Sequence, residues 1–510
     1  MVINNHRVVA CQLLVLLAVS VVWADDWNAG TGGNPARNSR SHEHGPQTAD
    51  ILWQNGLSAT IAQPAVIEGN IIAMSRIQSI NDVLHGTVIV AQSLTTGDTL
   101  WTADLPVDFA ATDWRNRVSA IRNGRVYASR SGNNNYSFFY ALNSETGAVL
   151  WRSQDSVNEC STESPSFAPN GDLIVGSFTN VERINATDGS RVWLTPRVSP
   201  TSNGSEAAVY GNRLYLWEAS LQGPKVSSFD LTTGAPRYSS AAISGGFVQQ
   251  VGLFIGPDGT VYAPRTQNNS STDFLVALED RDTALVERWR VPLGYCPFAS
   301  FGIGPDSSVY SYTADRRVIR INPQTGSVLD SSEIIETDFF QPRMAIDSSG
   351  IVYVTNGGFT QGEMLSYDPD LTLRWTMPIP GVNIGGPAIG QNGTLIVCGT
   401  GENVIALRGQ PSNGARGRVD FAVNSPTLSQ NYPNPFNPST TISYYLPQAG
   451  DVRLTVFNTL GQRVATLVSG NQAPGQRTVQ FDGATLASGH YFCRLQAGSS
   501  VLTRNMLLLK

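Results

Sequence analysis

Histidine, cysteine and charge are scarce in this 510-residue chain, and each shortage removes a class of function. Beyond the first 24 residues only His42, His44, His85 and His490 remain, none beside a nucleophile motif, so a Ser/His/Asp triad lacks an evident base. His42 and His44 lie in the polar stretch SHEHGP with only Glu43 between them, which reads as a solvated loop and not a metal site. The cysteines, Cys11, Cys160, Cys296, Cys398 and Cys493, include no adjacent pair and no Cys-x-x-Cys-His haem motif. Cys160 and Cys296 fall in repeat units too far apart to bridge, and Cys493 belongs to a different domain, so no structural disulfide is expected. Charged residues make up 15% of the chain, the formal net charge is −6, and no Lys/Arg cluster stands out. That balance argues against nucleic acid or an anionic membrane as partner. No apolar run after residue 24 approaches a transmembrane span. Gly399-Thr400-Gly401 lacks the strand-to-helix setting of a phosphate loop.

What the chain does have is a repeated phrase. A short apolar strand leads to Asp or Asn, then Thr-Gly, then a strand ending in Trp, as in AQSLTTGDTLW (Ala91–Trp101) and ALNSETGAVLW (Ala141–Trp151). Worn copies place the terminal position at 193, 238, 289, 330 and 375, in steps of 41 to 51 residues. Before each copy stands a second turn rich in Gly, Asn and Asp, such as IRNGRVYAS or GPDGTVYAP. Asn-Gly and Asp-Gly supply the positive φ angles of a tight hairpin, and the flanking Val, Ile and Tyr favour strand. Two hairpins make four strands per unit, which is one propeller blade, and units that cannot bury their apolar faces alone must stack. The Trp is expected between neighbouring blades. Seven complete units run from about Pro64 to Trp375; an eighth ends at Leu407 without its Trp strand. Ile51-Leu52-Trp53-Gln54 supplies the missing piece, so the sequence predicts an all-β, eight-bladed propeller closed by strand 51–54.

The phrase ALxxxTGxxLW, together with Trp27 and GGNPAR (Gly32–Arg37), resembles the pyrroloquinoline-quinone-like β-propeller repeat family over roughly residues 26–409. The resemblance implies a fold more than a function, because the family includes dehydrogenases and cofactor-free scaffolds. Its enzymes carry a vicinal disulfide and long insertions, and this chain has neither an adjacent cysteine pair nor room for the insertions. No cofactor and no metal is therefore expected.

The ends give the destination. Arg7, the apolar run Val8–Val22, and a small-residue cleavage site at Val22-Trp23-Ala24, followed by Asp25, read as a removed signal peptide over residues 1–24. Residues 25–409 form the propeller and 410–425 a Gly- and Arg-containing linker. Short strand-like runs spaced by glycines over 426–510 predict a small immunoglobulin-like β-sandwich. This last segment resembles the C-terminal sorting domain, type A, of type IX secretion cargo. The resemblance rests on Tyr432, Pro433, Asn434, Pro435, Phe436, Asn437 and Pro438, on NTLGQ ending past Gly461, and on LASGHY with Gly489 and Tyr491.

A candidate ligand site arises where segments joining successive blades gather around the central channel. Arg115, Arg117, Glu159 and Arg343 are its charged members, among the aromatics Trp114, Tyr295, Phe298, Phe339 and Phe340. The expectation is an exported, cell-surface or secreted, monomeric, non-catalytic binding or scaffold protein. Its partners would be the type IX secretion machinery and an unidentified protein or glycan ligand. Two alternatives stay open: a propeller enzyme, acting as quinoprotein oxidoreductase or on polysaccharide, and a periplasmic outer-membrane assembly scaffold.

Overall fold

The computed structural model describes residues 27–510 apart from 31, 56–64, 78–85, 109–112, 114, 132–135, 159–164, 199–205, 244–251, 266–273, 295–299, 338–341, 358–361, 380–385, 399–403, 410–425, 429–430, 432–433, 447–448, 474 and 499. The chain divides into two compact units, Met1–Ser412 and Asn413–Lys510. Among the described residues no helix is long and apolar enough to cross a membrane.

Strand formation in the first unit follows the turn chemistry. Gly97, Gly147, Gly234 and Gly326 of the Thr-Gly steps, and Gly189 of the equivalent Asp-Gly step, take φ of +72° to +74°, a conformation that costs a side-chain-bearing residue strain. With both hairpins of each repeat fixed this way, eight four-stranded antiparallel sheets succeed one another among the described residues. The first begins with Val66–Glu68, Ile71–Ile77, Thr87–Ser93 and Thr99–Ala103. The eighth is discontinuous: Pro387–Ile389, Leu395–Cys398 and Val404–Leu407 are completed by Ile51–Asn55, which pairs antiparallel to Val404–Leu407. The closing strand is thus one residue longer than the 51–54 read from the sequence. First strands of most neighbouring sheets touch, and the eighth touches the first, so they line an axis. The fold is an all-β propeller.

Its core is distributed between the sheets. One cluster draws Val66, Ala73 and Ala91 from the first sheet and Ile121, Val126 and Leu142 from the second. Another joins Tyr262 and Trp289 of the fifth sheet to Ile303 and Ile319 of the sixth. The tryptophans fasten these layers. Trp101 stacks on Gly147 of the next sheet, where an added Cβ would lie 2.6 Å from the ring, and its indole N–H donates to the Ser144 carbonyl at 2.7 Å. Trp151 does the same with Gly189 and Ala186 (3.0 Å), Trp193 with Gly234 and Leu231 (3.1 Å), and Trp289 with Gly326 and Pro323 (3.0 Å). Trp53, on the closing strand, docks on Gly97 and donates to Leu94 at 2.9 Å, which fixes the eighth sheet to the first. The Thr-Gly step is therefore both a turn and a socket: only a residue without Cβ admits the indole.

The second unit contains a three-stranded sheet, Thr427–Leu428, Ser439–Leu446 and Gly475–Asp482, and a four-stranded sheet of Arg463–Gln472, Gly450–Asn458, Gly489–Ala497 and Ser500–Leu508. Ile442, Tyr444 and Phe481 from the first meet Leu454, Val456, Leu495 and Met506 from the second in one core. Alternating burial along Gly489–Ala497 is the period-two pattern of a sheet with one wet face.

Candidate functional site

The inner edge of each sheet presents backbone N–H groups to the axis, and buried donors need acceptors. Residues 27–50 supply them. The N–H of the apolar residue just before each inner turn donates to a carbonyl of this segment: Ile67 to Trp27 (2.8 Å), Ile121 to Asn28 (2.8 Å), Val209 to Pro35 (2.9 Å), Ile255 to Ala36 (2.8 Å), Ile303 to Asn38 (2.9 Å) and Ile346 to Ser39 (2.8 Å). The third sheet joins through the Ser166 hydroxyl, which donates to Pro35 at 2.9 Å. The His44 carbonyl comes against Gly393 in the inner turn of the eighth. The segment is an axial strap. Its tight course is set by GGNPAR: Gly32 and Gly33 have φ +76° and +71°, and a Cβ on Gly33 would lie 2.7 Å from the Trp27 ring.

The strap corrects one reading and reshapes another. SHEHGP is not a solvated loop. Ser41, Gly45 and Pro46 are buried, the Gly45 N–H donates to Asp347 Oδ2 at 2.9 Å, and His44 Nδ1 hydrogen-bonds Ser349 Oγ at 2.7 Å. Around the axis stand further charged residues that the sequence reading passed over. Arg37 on the strap is ion-paired with Glu206, just ahead of the inner strand Ala208–Tyr210, and both are buried. Arg343, at the start of Arg343–Ile346, has its guanidinium pushed down by burial, against which Glu206 and Tyr312 act upward. Arg40 is likewise pushed down by burial, with Asp306 opposing. Arg115 and Arg117 both lie on the inner strand Arg115–Arg122, Arg117 buried. Glu159, with Trp114, Tyr295, Phe298, Phe339 and Phe340, lies outside the described residues. The axis thus brings Arg37, Glu206 and Arg343 together. The clue was Arg37 itself, inside a motif that was legible but had no structural assignment.

Cys398 and Cys493 are free, buried thiols pushed up to about 12 by burial, which leaves them inert as nucleophiles. Cys160 and Cys296, and the cleavage position Ala24/Asp25, lie outside the described residues.

In the second unit, the described part of the sorting motif ties its start to the last strand. Asn434 Oδ1 accepts from the Leu507 N–H at 2.7 Å, the Phe436 N–H donates to Leu507 at 2.9 Å, and the Leu509 N–H returns to Phe436 at 3.0 Å. The Phe436 ring is buried beside Phe481, while Asn434, Pro435, Asn437 and Pro438 stay exposed. Tyr432 and Pro433 lie outside the described residues. Gly461 takes φ +75° in the turn where Asn458 Oδ1 accepts from Leu460 and Gln462, and the Tyr491 hydroxyl donates to Ala487 at 2.8 Å. Replacing Asn434 with alanine is expected to cost about 1 kcal/mol of local stability. Hydrogen exchange should show faster exchange at Leu507 and its neighbours, with Asn434→Asp, which keeps the acceptor, partly protected.

Comparison with known proteins is consistent with both units. Residues 84–332 match the family described as outer membrane protein assembly factor BamB, and residues 430–508 match the secretion system C-terminal sorting domain. No curated protein matches the chain in sequence. Among solved structures, a europium-containing methanol dehydrogenase superposes with TM-score 0.51 at 11% identity, covering 73% of this chain and 89% of that one. The C-terminal WD40 domain of Sif2 gives 0.50 at 12% identity, over 71% of this chain and 98% of that one. The Dos1 propeller gives 0.50 at 11%, over 72% and 97%. At such identities these likenesses speak for the fold alone.

Proposed function

We propose that this chain, which carries a pyrroloquinoline-quinone-like repeat propeller and a type IX sorting domain, is an exported binding or scaffold protein whose eight sheets are eight blades. Export to the cell surface or beyond is supported by the sorting-domain match and by a motif built into the second unit's fold. That match carries the reading. The second unit, taken as an immunoglobulin-like sandwich over 426–510, serves as the address, and residues 1–24 serve as the signal peptide cleaved between Ala24 and Asp25. The propeller's role is ligand binding around the axis, at the inner strands that carry Arg115, Arg117 and Arg343, without catalysis.

One observation favours a second reading. The repeat match is to a family described as an assembly factor, which fits a scaffold held in the periplasm. Localisation separates the two. The full chain and a version lacking residues 426–510 are expressed in a host with type IX machinery, and each fraction is weighed by intact mass. The expected outcome is export of the full chain and periplasmic retention of the truncated one, with at least a tenfold difference in the exported amount. Retention of both removes the address reading and favours the periplasmic scaffold.

A further inference from the structure

The junctions between sheets are not alike, and the strap is bonded most densely to the sheet that has no seated tryptophan on either side. Five junctions carry a Trp seated on a turn glycine: eighth to first, first to second, second to third, third to fourth, and fifth to sixth. Between the fourth and fifth sheets a polar clasp takes over, in which the Tyr215 and Tyr238 hydroxyls both donate to Asp280 at 2.6 Å. The seventh sheet, built on Arg343–Ile346, Val352–Thr355, Glu363–Tyr367 and Leu373–Pro378, has no tryptophan seated on a turn glycine on either side among the described residues, although the Tyr310 hydroxyl of the sixth sheet donates to its Pro369 carbonyl at 2.8 Å. On one side the Trp position of the sixth sheet is Asp330, which turns back to Arg320 of its own sheet at 3.0 Å. On the other, Trp375 has a buried indole N–H without a hydrogen-bond partner. The turn that would receive it is the place where the chain enters the eighth sheet at Asp50 and leaves it at Arg408, joined by an Arg408 N–H to Asp50 bond of 2.9 Å.

Strap residues 39–47 fill that gap. Ser39 and Ser41 bracket Ile346, accepting from its N–H and donating to its carbonyl, both at 2.8 Å. The Ser348 N–H donates to Glu43 at 2.9 Å, and Gly45 donates to Asp347. The Tyr353 hydroxyl donates to the Pro46 carbonyl at 3.0 Å, and Arg374 reaches Gln47 Oε1 at 2.8 Å. Gly45 lies so close under the Tyr353 ring that no Cβ fits.

We propose that this half of the strap is a latch on the seventh sheet, and that the seventh sheet is the gate where the ring opens when the latch is released. The latch joins residues 39–47 to residues 346–374, and the closing strand joins 51–55 to 404–407, so the latch needs the chain as far as residue 374 and ring closure needs it as far as residue 407. Ring closure is thereby the last step of propeller folding. It precedes only the linker and the second unit, so the sorting domain follows a freshly closed ring.

Hydrogen exchange by mass spectrometry on the full chain tests this, with Gly45→Val to dislodge the latch and Gly147→Val to loosen an unrelated junction. In Gly45→Val, amides of Arg343–Ile346 and Val352–Thr355 should lose at least tenfold protection, while Ile71–Ile77, Arg125–Ser131 and Leu173–Gly176 keep theirs. Gly147→Val should loosen the first and second sheets and spare the seventh. Uniform loss across all sheets, or no change at the seventh, overturns the proposal. Should Gly45→Val fail to fold, Tyr353→Phe keeps the ring and removes only the hydroxyl. It must then raise exchange selectively in the seventh sheet, and an unselective or absent effect overturns the proposal equally.

Discussion

Replacing Trp151 with alanine is expected to lower the stability of the propeller by about 3–5 kcal/mol, the range for losing a buried indole. Three losses coincide. The ring leaves a void between the second and third sheets, where it packs with Tyr127 at a centroid distance of 5.9 Å and with Ala141 and Phe167. The Ala186 carbonyl loses its 3.0 Å donor. Gly189 loses the surface that justifies its missing side chain, an added Cβ at present lying 2.6 Å from the indole. That third point makes the prediction sharper than a cavity estimate. Gly189→Ala alone should also destabilise, through overlap with the ring and through its φ of +74°. In the Trp151→Ala background the overlap with the ring disappears, and what remains is the backbone strain and a 2.9 Å approach to the Arg152 carbonyl. A double-mutant cycle followed by chemical denaturation should therefore give a coupling energy of at least about 1 kcal/mol. Additive effects would mean that Trp151 is merely buried and the Asp188-Gly189 step merely a turn.

The same pairing explains why so much of the fold was legible. Trp and Gly recur at a spacing that the packing sets at five junctions, because the indole there needs a glycine socket one sheet later. Ile51-Leu52-Trp53-Gln54 was readable as a misplaced outer strand because Trp53 obeys that rule with Gly97. The strap was not readable. Its contribution is a set of main-chain carbonyls, and a carbonyl leaves no residue-type signature: Pro35, Ala36 and Ser39 act identically. Only GGNPAR stood out, because its turn demands particular residues. The channel charges were half legible for a related reason. Arg343 was picked out from its place at the entry to an inner strand, but its electrostatic neighbour Glu206 and that residue's partner Arg37 lie 137 and 306 residues away in sequence, which local reading cannot supply. In the sorting domain, Asn434 and Phe436 were visible as motif residues, while their task of holding the final strand Ser500–Leu508 emerges only from register.

Stability should also fall as pH rises through neutrality, and a single buried carboxyl should account for the largest step. Glu182 lies on Asn180–Ile184, 4% exposed, and burial pushes its carboxyl up to about 8. Asp155 adds to the rise and Arg191 opposes it only weakly, since the Arg191 guanidinium is engaged with Asp155 at 3.3 Å. The sign follows from proton counting. In the unfolded chain Glu182 titrates near 4.3, so between about pH 4.3 and 8 the folded state binds more protons than the unfolded one, and stability falls as pH rises. Above about 8 both states are ionised and this contribution is flat. The shift corresponds to an upper bound of roughly 5 kcal/mol, and a few kcal/mol is the expected size once local relaxation is allowed. Glu182→Gln keeps the shape and removes the titration. Its stability relative to the native protein, measured by denaturant unfolding from pH 5 to 9, should rise with pH by that amount and level off near 8, whatever the other groups do, because their contributions cancel in the difference. A difference that stays constant with pH would mean that Glu182 is charged in the folded protein at neutrality, held by Arg191 despite its burial. In that case the joint between the second and third sheets would contain a true ion triad, and raising the salt concentration should then loosen it.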